Sequence, residues 1–459
     1  MSRRHKILKR AMSVLVLGGL VIASLGLAYA EEASFPGIWK KYPGVELRIT
    51  VEEVPMFLYM RQKLPEFEKL TGIKATIEIL PEIALRQKVL LDFALRRGYY
   101  DVIGADMIDV VQYATGGFIV PLNQYIEDSE LTDKSALDMD DLFANYMEGL
   151  TVEGKLYGFP TYIDGLMLMY RRDLFEKYGI AEAPKTWDEY YDIAKKLLLD
   201  TDGDGNIDIY GNALRCKRGM NSNIYLWTSM FRGWGGYFFD EEMKPVVNSS
   251  AGIGATDYYV KLLKDTAPPG VGNYGWTEVE TAMEQGKVAM IVDAYDFPPR
   301  MEDPEMSTVV GKLGYDIIPA GKATWRGKKH IPSMYTLAAT ISEFSKNKEA
   351  AWMFVKWATS KTLAYDVADK GSYSWLIRKS TLDSEKYRKA SRPFWDGLKR
   401  SIPLSDSEYR PRIPEWREVE DAVSIAVSEA FSGTKSTKKA LDDANTAIYR
   451  VLKEAGYYQ

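Results

Sequence analysis

The segment from residue 45 to residue 104 alternates between strand-like and helix-like patterns, and no other sequence feature constrains the fold as strongly. In some stretches apolar residues alternate with polar ones, as in a half-buried strand, and in others they recur at helical spacing. The predicted order is a strand at 45–51, a helix at 60–70 that Gly72 ends, a strand at 73–80, a helix at 81–97 and a strand at 101–104. Strand–helix units with such short connections predict a parallel, doubly wound α/β sheet.

The loops that follow these strands carry acidic side chains. In a doubly wound sheet the ligand crevice lies beyond the carboxyl ends of the strands. Glu53, Glu82 and Asp106 are therefore expected at a common edge, although an acid at a helix start also has a capping role. Arg86 lies one turn after Glu82 and either joins the site or pairs with Glu82. We predict hydrogen bonds to a ligand from Glu53, Glu82, Arg86 and Asp106.

The first thirty residues have the pattern of a secretory signal peptide. A basic head is followed by an apolar run at 14–27, and Ala28-Tyr29-Ala30 offers a cleavage site before Glu31. The run is shorter than the ~20 residues of a membrane-spanning helix, so we expect cleavage rather than an uncleaved anchor. No cysteine follows the run, which excludes a lipoprotein signal. We expect residues 1–30 to be removed and the mature protein to work in the periplasm.

Charge and the scarcity of two residue types exclude several functions. The chain has 59 Lys and Arg residues against 64 Asp and Glu residues, a net charge of −5, and no basic block. Such a chain is a poor partner for nucleic acid. Cys216 is the single cysteine, so no intrachain disulfide forms. His330 is the single histidine after residue 30, which excludes a histidine-cluster zinc site. The length indicates at least two domains.

Several segments beyond residue 150 resemble those of a known family. They are GKLYGFPTYIDGLMLMYRRDLFEKYGI (154–180), PKTWDEY (184–190), AMEQGKVAM (282–290), KEAAWMFVKW (348–357) and IRKS (377–380). In this order they resemble family 1 extracellular solute-binding proteins, the sugar-capturing components of ABC importers. The resemblance covers essentially the whole mature chain. It implies a monomeric binding protein that needs no cofactor and delivers a carbohydrate to a membrane permease.

The resemblance also implies the architecture of a type II periplasmic binding protein. In that α/β fold two lobes, each a doubly wound sheet flanked by helices, are joined by crossover strands, and the ligand lies in the cleft at the hinge. We expect residues 31–149 and 293–342 in the N-terminal lobe, and residues 150–292 and 343–459 in the C-terminal lobe. Hinge closure around the ligand then creates the surface that the permease recognises.

A sugar-binding cleft needs flat aromatic walls for the C–H faces of the ligand and polar groups for its hydroxyls. The chain is rich in suitable residues, with 11 tryptophans and 30 tyrosines. Gly233 and Gly235 indicate that Trp234 lies on a loop, and we expect at least one of Trp227 and Trp234 in the wall. Positions in loops and at strand ends complete the predicted ligand-binding set: Tyr162, Asp164, Trp227, Trp234, Tyr295, Tyr335, Tyr373 and Trp375.

The segment from residue 200 to residue 211 matches the calcium loop of an EF-hand over most of its length. Oxygen-bearing side chains stand at alternate positions, Gly205 allows the sharp turn and Ile207 is the apolar anchor. Gly211 replaces the final bidentate glutamate, so a carboxylate from elsewhere completes the shell or binding is weak. The alternative is a polar turn without an ion. Because the clustered carboxylates repel one another, we expect a structural calcium at Asp200, Asp202, Asp204, Asn206 and Asp208.

Two other functions fit some of these features. A secreted glycosidase would use the same aromatic residues, with two carboxylates flanking the scissile bond, but the sequence lacks a recognisable catalytic signature. A binding protein for a peptide or an oxyanion is the second alternative, and the scarcity of arginine on the predicted loops disfavours an anion. The sequence does not identify the sugar or polyol, or its length.

Overall fold

The computed structural model describes residues 35–368 and 376–458. The predicted signal peptide (1–30) and the predicted ligand-binding residues Tyr373 and Trp375 lie outside these ranges. Residues from Ile38 onward pack together as one unit. None of the helices within the described ranges is long and apolar enough to span a bilayer.

The described residues alternate between strands and helices along most of the chain. The strands are β1 (Glu46–Glu52), β2 (Lys74–Leu80), β3 (Val102–Asp106), β4 (Thr151–Val152), β5 (Lys155–Leu156), β6 (Gly158–Arg171), β7 (Tyr210–Ala213), β8 (Val288–Ala294), β9 (Leu313–Asp316) and β10 (Met334–Ile341). The helices in the first half are α1 (Pro55–Gln62), α2 (Leu64–Thr71), α3 (Glu82–Leu95), α4 (Met107–Thr115), α5 (Asn123–Glu127), α6 (Lys134–Leu137), α7 (Ala144–Gly149), α8 (Arg172–Lys177), α9 (Trp187–Lys196) and α10 (Asn223–Gly233). The later helices are α11 (Ser250–Thr266), α12 (Trp276–Glu284), α13 (Pro298–Met301), α14 (Lys348–Ala358), α15 (Lys361–Ala368), α16 (Lys379–Asp383), α17 (Glu385–Ala390), α18 (Trp395–Ser401), α19 (Trp416–Ser432) and α20 (Thr437–Glu454).

Eight of these strands form one mixed sheet in the order β2-β1-β3-β10-β6-β8-β7, with β9 also paired to β6. β1 pairs in parallel with both β2 and β3, and β7 pairs in parallel with β8. β10 runs antiparallel to β3 and to β6. Parallel strands joined through helices on each side of an antiparallel centre confirm the predicted α/β class.

Strand β6 belongs to both halves of this sheet. Its first half pairs with β10 up to Gly165, and its second half pairs with β8 and β9 from Leu166 onward. All but one of its residues are buried, as the apolar run through Leu166, Met167, Leu168 and Met169 requires. A strand buried on both faces reads as a continuous apolar run rather than an alternating one. β6 is therefore the crossover that joins the two halves.

The first strand–helix units follow the predicted order, with one difference. The helix predicted at 60–70 is split into α1 and α2 around Lys63. Pro65 at the start of α2 explains the break, because proline has no N–H to continue a helix and is favoured in a first turn. Gly72 ends α2 with φ 72°, which confirms the predicted left-handed helix end.

Helices α14 and α15 pack against the first half of the chain. Phe354 of α14 contacts the Phe67 ring edge to face, with centroids 5.5 Å apart, and the Trp352 indole N–H donates to Thr132 Oγ1 at 2.9 Å. In α15, Asp366 accepts a hydrogen bond from the Tyr59 hydroxyl at 2.6 Å. These contacts lie on the side of β1 to β3, whereas the predicted boundary at residue 343 assigns both helices to the other lobe.

Gly211 lies in β7 where this strand crosses closely over α9. A Cβ atom at position 211 would lie 2.0 Å from the carbonyl oxygen of Ala194. Position 211 therefore excludes every side chain, including the glutamate that would complete an EF-hand loop.

We expect Gly211→Ala to lower the free energy of unfolding by about 2–4 kcal/mol, because strand and helix must separate to admit the methyl group. Gly254→Ala is the matched control, since a Cβ there meets only Trp234 Cδ1 at an ordinary 3.4 Å within α11. The control should be neutral or more stable by up to about 1 kcal/mol. Urea unfolding measures both, and equal stabilities of the two variants would contradict the close approach.

Candidate ligand-binding site

A cavity of about 500 Å³ opens where the two halves of the sheet meet. One wall comes from the carboxyl end of β1 and the start of α3. The floor comes from the middle of β6 and the start of β10, and the opposite wall comes from the segment 215–225 and the start of α12. The cavity thus lies beyond the carboxyl ends of β1 and β2, as expected for a doubly wound sheet.

Glu52 and Glu82 form the acidic wall, and Tyr335 contacts this wall from the start of β10. The Tyr335 hydroxyl donates to Glu52 Oε2 at 2.6 Å. Burial and the neighbouring Glu82 raise the pKa of Glu52 to about 8. Burial raises the pKa of Glu82 to about 7, although the Arg417 guanidinium opposes this shift. Near neutral pH this wall therefore retains protons that exposed carboxyl groups would already have lost.

Asp164 and Asp296 lie on the floor beside Tyr162. The Tyr162 hydroxyl donates to Asp296 Oδ2 at 2.8 Å, and the Tyr295 backbone N–H donates to Asp164 Oδ1 at 2.6 Å. Burial raises the pKa of Asp296 to about 6. Burial and the nearby Asp296 hold the pKa of Asp164 well above its ordinary value. Asp296 Oδ1 is buried without a hydrogen-bond partner, so the floor offers an unused acceptor.

Arg215 supplies fixed positive charge on the opposite wall. Its guanidinium binds the buried Asp293 of β8, with Nη2 2.5 Å from Oδ1, and lies 4.8 Å from the centroid of the Tyr225 ring. This pairing links the loop after β7 to its parallel neighbour β8. The Tyr225 hydroxyl and the Ser222 Oγ are buried without partners and belong to the same wall. Buried polar atoms are normally hydrogen-bonded, so these atoms await a partner from the ligand.

Trp276 at the start of α12 is the tryptophan that lines the cavity. It is 38% exposed, and its ring packs edge to face against Phe297 with centroids 5.6 Å apart. A half-exposed indole at the mouth of a polar cavity offers a flat face to C–H groups.

The structure brings five of the predicted ligand-binding residues to this cavity: Glu53, Glu82, Tyr162, Asp164 and Tyr335.

Two predicted polar residues, Arg86 and Asp106, do not line the cavity. Arg86 donates to Asp109 Oδ1 at 3.1 Å and to Gln112, so neither the ligand role nor the predicted pairing with Glu82 describes its contacts. Asp106 caps α4 through the Ile108 N–H and binds Arg417 Nη2 at 2.8 Å. Both side chains are taken up by a buried ion-pair cluster behind the acidic wall.

Three predicted aromatic residues also lie away from the cavity lining. Trp227 is in the core, stacked on Phe231 with centroids 4.7 Å apart. Trp234 follows α10 directly and packs on Tyr258. Tyr295 lies behind the floor, where its hydroxyl contacts Ser405 at 3.2 Å. Every residue of α10 is buried, so helical spacing and the glycine pattern do not separate core positions from cavity positions. The elements that pack around the helix decide where both tryptophans lie.

Sequence reasoning did not select several cavity residues. The polar and aromatic ones are Glu52, Arg215, Lys217, Arg218, Asn221, Ser222, Tyr225, Trp276, Thr277, Glu278 and Asp296. Asp296 was within reach, because it directly follows Tyr295 after a predicted strand. Arg215 could have been selected as a charged residue just beyond the short strand β7.

The Asp-rich loop is closed by β-type pairing of Leu199 with Ile209. Asp200 accepts hydrogen bonds from the N–H groups of Gly203 and Gly205 at 2.7 and 2.8 Å. Carboxylate oxygens of Asp200, Asp202 and Asp208 lie within 4.8 Å of one another. Asp204 and Asn206 instead bond to each other at 3.0 Å. Three of the five predicted ligands thus converge, and all lie at the surface.

Ligand-free protein should become less stable between about pH 5.5 and pH 8.5, with a melting temperature lower by about 5 °C or more at the upper limit. Glu52 and Glu82 have raised folded-state pKa values. Their stabilising contribution is therefore complete below their pKa values in the unfolded chain and disappears as pH rises through about 7–8.

The variant Glu52→Gln keeps an acceptor for Tyr335 and should reduce this loss of stability. Glu130→Gln, at an exposed residue, is the control. An unchanged pH profile in Glu52→Gln would contradict this account.

Comparison with known proteins identifies the family. Residues 52–364 match the family model described as bacterial extracellular solute-binding protein. The chain is 30% identical over 397 residues to the mannitol-binding protein of Pseudomonas aeruginosa, covering 83% of this chain and 86% of that protein.

The fold is similar to two solved solute-binding proteins of ABC transporters. One, from Agrobacterium vitis S4 with bound D-mannitol, has a TM-score of 0.76 and 30% identity over 90% of this chain and 100% of that one. The other, from Agrobacterium radiobacter K84 with ribitol, has a TM-score of 0.78 and 28% identity over 88% and 98%. The chain therefore belongs to the bacterial extracellular solute-binding protein family and has its two-lobed α/β fold.

Proposed function

We propose that this solute-binding protein captures a small open-chain polyol outside the cytoplasmic membrane and delivers it to an ABC importer permease. The observation that carries the proposal is a cavity lined by six carboxyl groups against three cations, of which Arg215 is buried. A polyol presents a hydroxyl on every carbon, and each hydroxyl both donates and accepts. Such a ligand can donate to a carboxylate and accept from a carboxyl group that holds a proton, whereas an anion only accepts and is repelled by every ionised acid of the lining.

Unpartnered atoms on two sides of the cavity support this ligand class. Asp296 Oδ1 accepts, whereas the Tyr225 hydroxyl and the Ser222 Oγ both donate and accept. Leaving such groups unpaired costs about 1–3 kcal/mol each, and a polyhydroxylated ligand would satisfy all of them. We assign ligand contacts to Glu53, Glu82, Tyr162, Asp164 and Tyr335, together with Arg215, Tyr225 and Asp296.

The relatives favour an open chain over a ring. The mannitol-binding protein and the two structures with D-mannitol and ribitol are similar to this chain over most of its length. Within residues 35–368 and 376–458, Trp276 is the one tryptophan that lines the cavity, whereas a ring with two C–H faces is well served by two opposed aromatic walls. The cavity of about 500 Å³ lies within the ~300–1,000 Å³ that small-molecule sites span.

Capture would proceed by hinge closure between two lobes. We propose lobes close to the predicted ranges, 31–149 with 293–342 and 150–292 with 343–459, but with α14 and α15 assigned to the first because of their contacts. The crossings in β6 and near Asp296 and β10 would form the hinge. Ligand would then shift the open–closed equilibrium by its higher affinity for the closed form.

Secretion and assembly complete the proposal. The pattern of residues 1–30 supports export through a cleaved signal peptide into a periplasm, where a monomer would meet the permease. We propose binding without turnover, in contrast to a glycosidase. Chromatography of candidate oligosaccharides after incubation with the protein tests this point, and any hydrolysis product would contradict it.

Titration with D-mannitol and ribitol should quench the fluorescence of Trp276, with at least one dissociation constant in the micromolar range or below, about −8 kcal/mol or stronger. Maltose should bind more weakly by about tenfold or more, because a disaccharide carries fewer hydroxyls per carbon than a polyol and satisfies fewer of the polar atoms on the cavity walls. No response to any polyol or sugar would contradict carbohydrate capture, whereas tighter binding of maltose would contradict only the open-chain assignment.

Tyr225→Phe separates binding from stability. The hydroxyl has no partner in the protein, so its removal should weaken the polyol complex by about fivefold or more while leaving the melting temperature unchanged or higher. Tyr449→Phe, at a residue that is 41% exposed, should change neither quantity. If Tyr225→Phe bound the polyol as tightly as the wild type, this hydroxyl would not be a ligand contact.

We also propose that the Asp200–Asp208 loop holds calcium. The convergence of Asp200, Asp202 and Asp208 supports this assignment, and Gly211 leaves the site without its usual final ligand, so affinity should be weak. Adding calcium to chelator-treated protein should raise the melting temperature, because an ion bound by the folded state stabilises it. The double change Asp202→Asn and Asp208→Asn should abolish the increase, and an unchanged melting temperature in the wild type would contradict the site.

A further inference from the structure

We propose that Asn221 is a positioning residue that clasps the two lobes together over the bound ligand by donating its side-chain amide to Glu82. The inference rests on the proposed function, because it assigns a residue pair that holds the cavity closed beside the buried ion pairs of Arg417 with Asp106 and Asp109, which join the same two lobes behind the acidic wall. Asn221 lies in the loop before α10, and Glu82 begins α3 on the opposite wall. Both residues line the cavity, so a bond between them crosses its rim.

Asn221 is held at every polar atom. Its backbone N–H donates to Glu420 Oε1 at 3.1 Å, and its backbone oxygen accepts from Arg215 Nη1 at 2.8 Å. Its side-chain oxygen accepts from Arg410 Nη1 at 2.9 Å, which orients the amide. The remaining NH₂ group donates to Glu82 Oε1 at 2.9 Å. Three hydrogen bonds within its own proposed lobe thus orient Asn221 so that its side-chain NH₂ group donates to the other lobe.

The backbone of Asn221 is also specialised. Its φ of 49° lies in the left-handed region, where asparagine and glycine are the favoured residues. Glycine at this position would satisfy the backbone but would lack the amide. Substitution by glycine therefore distinguishes a role of Asn221 in the turn from a role in the clasp.

Glu82 is surrounded by charges from several elements. Glu52 at the end of β1 faces it, as do Asp106 and Asp109 from β3 and α4, and Arg417 and Glu420 from α19. The nearest cation, Arg417 Nη1, is 3.8 Å from Glu82 Oε1 and binds Asp106 and Asp109 more closely. The hydrogen bond from the neutral Asn221 amide is thus the short contact that joins Glu82 to the loop before α10.

Because Arg215 contacts both the cavity and the Asn221 backbone, the clasp is coupled to the ligand. A ligand held by Arg215 and Tyr225 fixes the segment 215–225, and this segment presents Asn221 to Glu82. The clasp would act after binding, by slowing the reopening of the lobes, so its loss should appear mainly in the dissociation rate.

Asn221→Asp tests the clasp by its pH dependence. The new carboxylate still accepts from Arg410 but meets Glu82 as a second acceptor. At about pH 8.5 the two acids repel, and we expect polyol affinity about tenfold or more below that of the wild type at the same pH. At about pH 5.5 the pair shares a proton, and affinity should return to within about threefold. A pH-independent loss would overturn the proposal, because a purely structural defect does not depend on that proton.

A donor–acceptor exchange provides the rescue. In the double variant Asn221→Asp with Glu82→Gln, the glutamine amide donates to the aspartate, so the penalty of Asn221→Asp should shrink from about tenfold to under about threefold when Glu82→Gln is the reference. An equal penalty in both backgrounds would show that the two positions act independently and would overturn the clasp.

Asn221→Gly is the matched control for the turn. It keeps the left-handed backbone and removes the amide, so polyol dissociation should be faster by about fivefold or more. The melting temperature should fall by no more than a few degrees, because Arg410 loses its Asn221 acceptor but keeps its ion pair with Glu420. Dissociation at the wild-type rate would overturn the proposal. If wild-type protein bound no polyol, the proposed function would fail, and small-angle scattering would still test the clasp. Asn221→Asp should then be more expanded at about pH 8.5 than at about pH 5.5, and equal dimensions would contradict it.

Discussion

The structure depends on one continuous strand that two half-sheets share. β6 is buried along nearly its whole length and pairs with β10 before Gly165 and with β8 and β9 after it. Because its side chains are held from both sides, the midpoint of the strand is a fixed platform for Tyr162 and Asp164. The cavity floor is thus built on the most constrained segment of the chain, while the two walls belong to elements on either side of it.

Burying acidic side chains in the cavity walls costs free energy, and the surrounding charges limit that cost. Several carboxylates approach one another around a single cavity, and burial disfavours their charged forms. Behind the acidic wall, Arg417 binds Asp106 and Asp109 in a bidentate cluster, and on the other wall Arg215 binds Asp293. These pairs neutralise the acids that the ligand does not reach. Acceptors such as Asp296 Oδ1 remain unpaired, and in the proposed function they accept hydrogen bonds from ligand hydroxyls.

The proposed mechanism depends on two states, and the cavity contains groups suited to distinguish them. Contacts within one proposed lobe, such as the Arg215 side chain with the Asn221 backbone oxygen, would persist in either state. Contacts across the rim, such as Asn221 with Glu82, exist only when the walls are close. A ligand gains affinity by making both kinds of contact at once, so binding and closure are linked by the same residues. A rigid cavity of equal polarity would lack that link.

Hydrophobic periodicity determined the strand–helix order of residues 45–104, and a glycine after the periodic run determined the left-handed helix end at Gly72. The strand order determined the edge of the sheet where Glu53 and Glu82 lie. These are local or topological properties. Only the tertiary structure decided which acids reach the cavity. Asp106 and Arg86 have the right sequence positions, yet a distant arginine on α19 draws Asp106 into an ion pair, and Asp109 draws Arg86 away. Burial of Trp227 and exposure of Trp276 were likewise decided by packing. Such outcomes depend on contacts between residues that lie from 23 positions apart, for Arg86 and Asp109, to 311 positions apart, for Asp106 and Arg417, and local periodicity does not encode them.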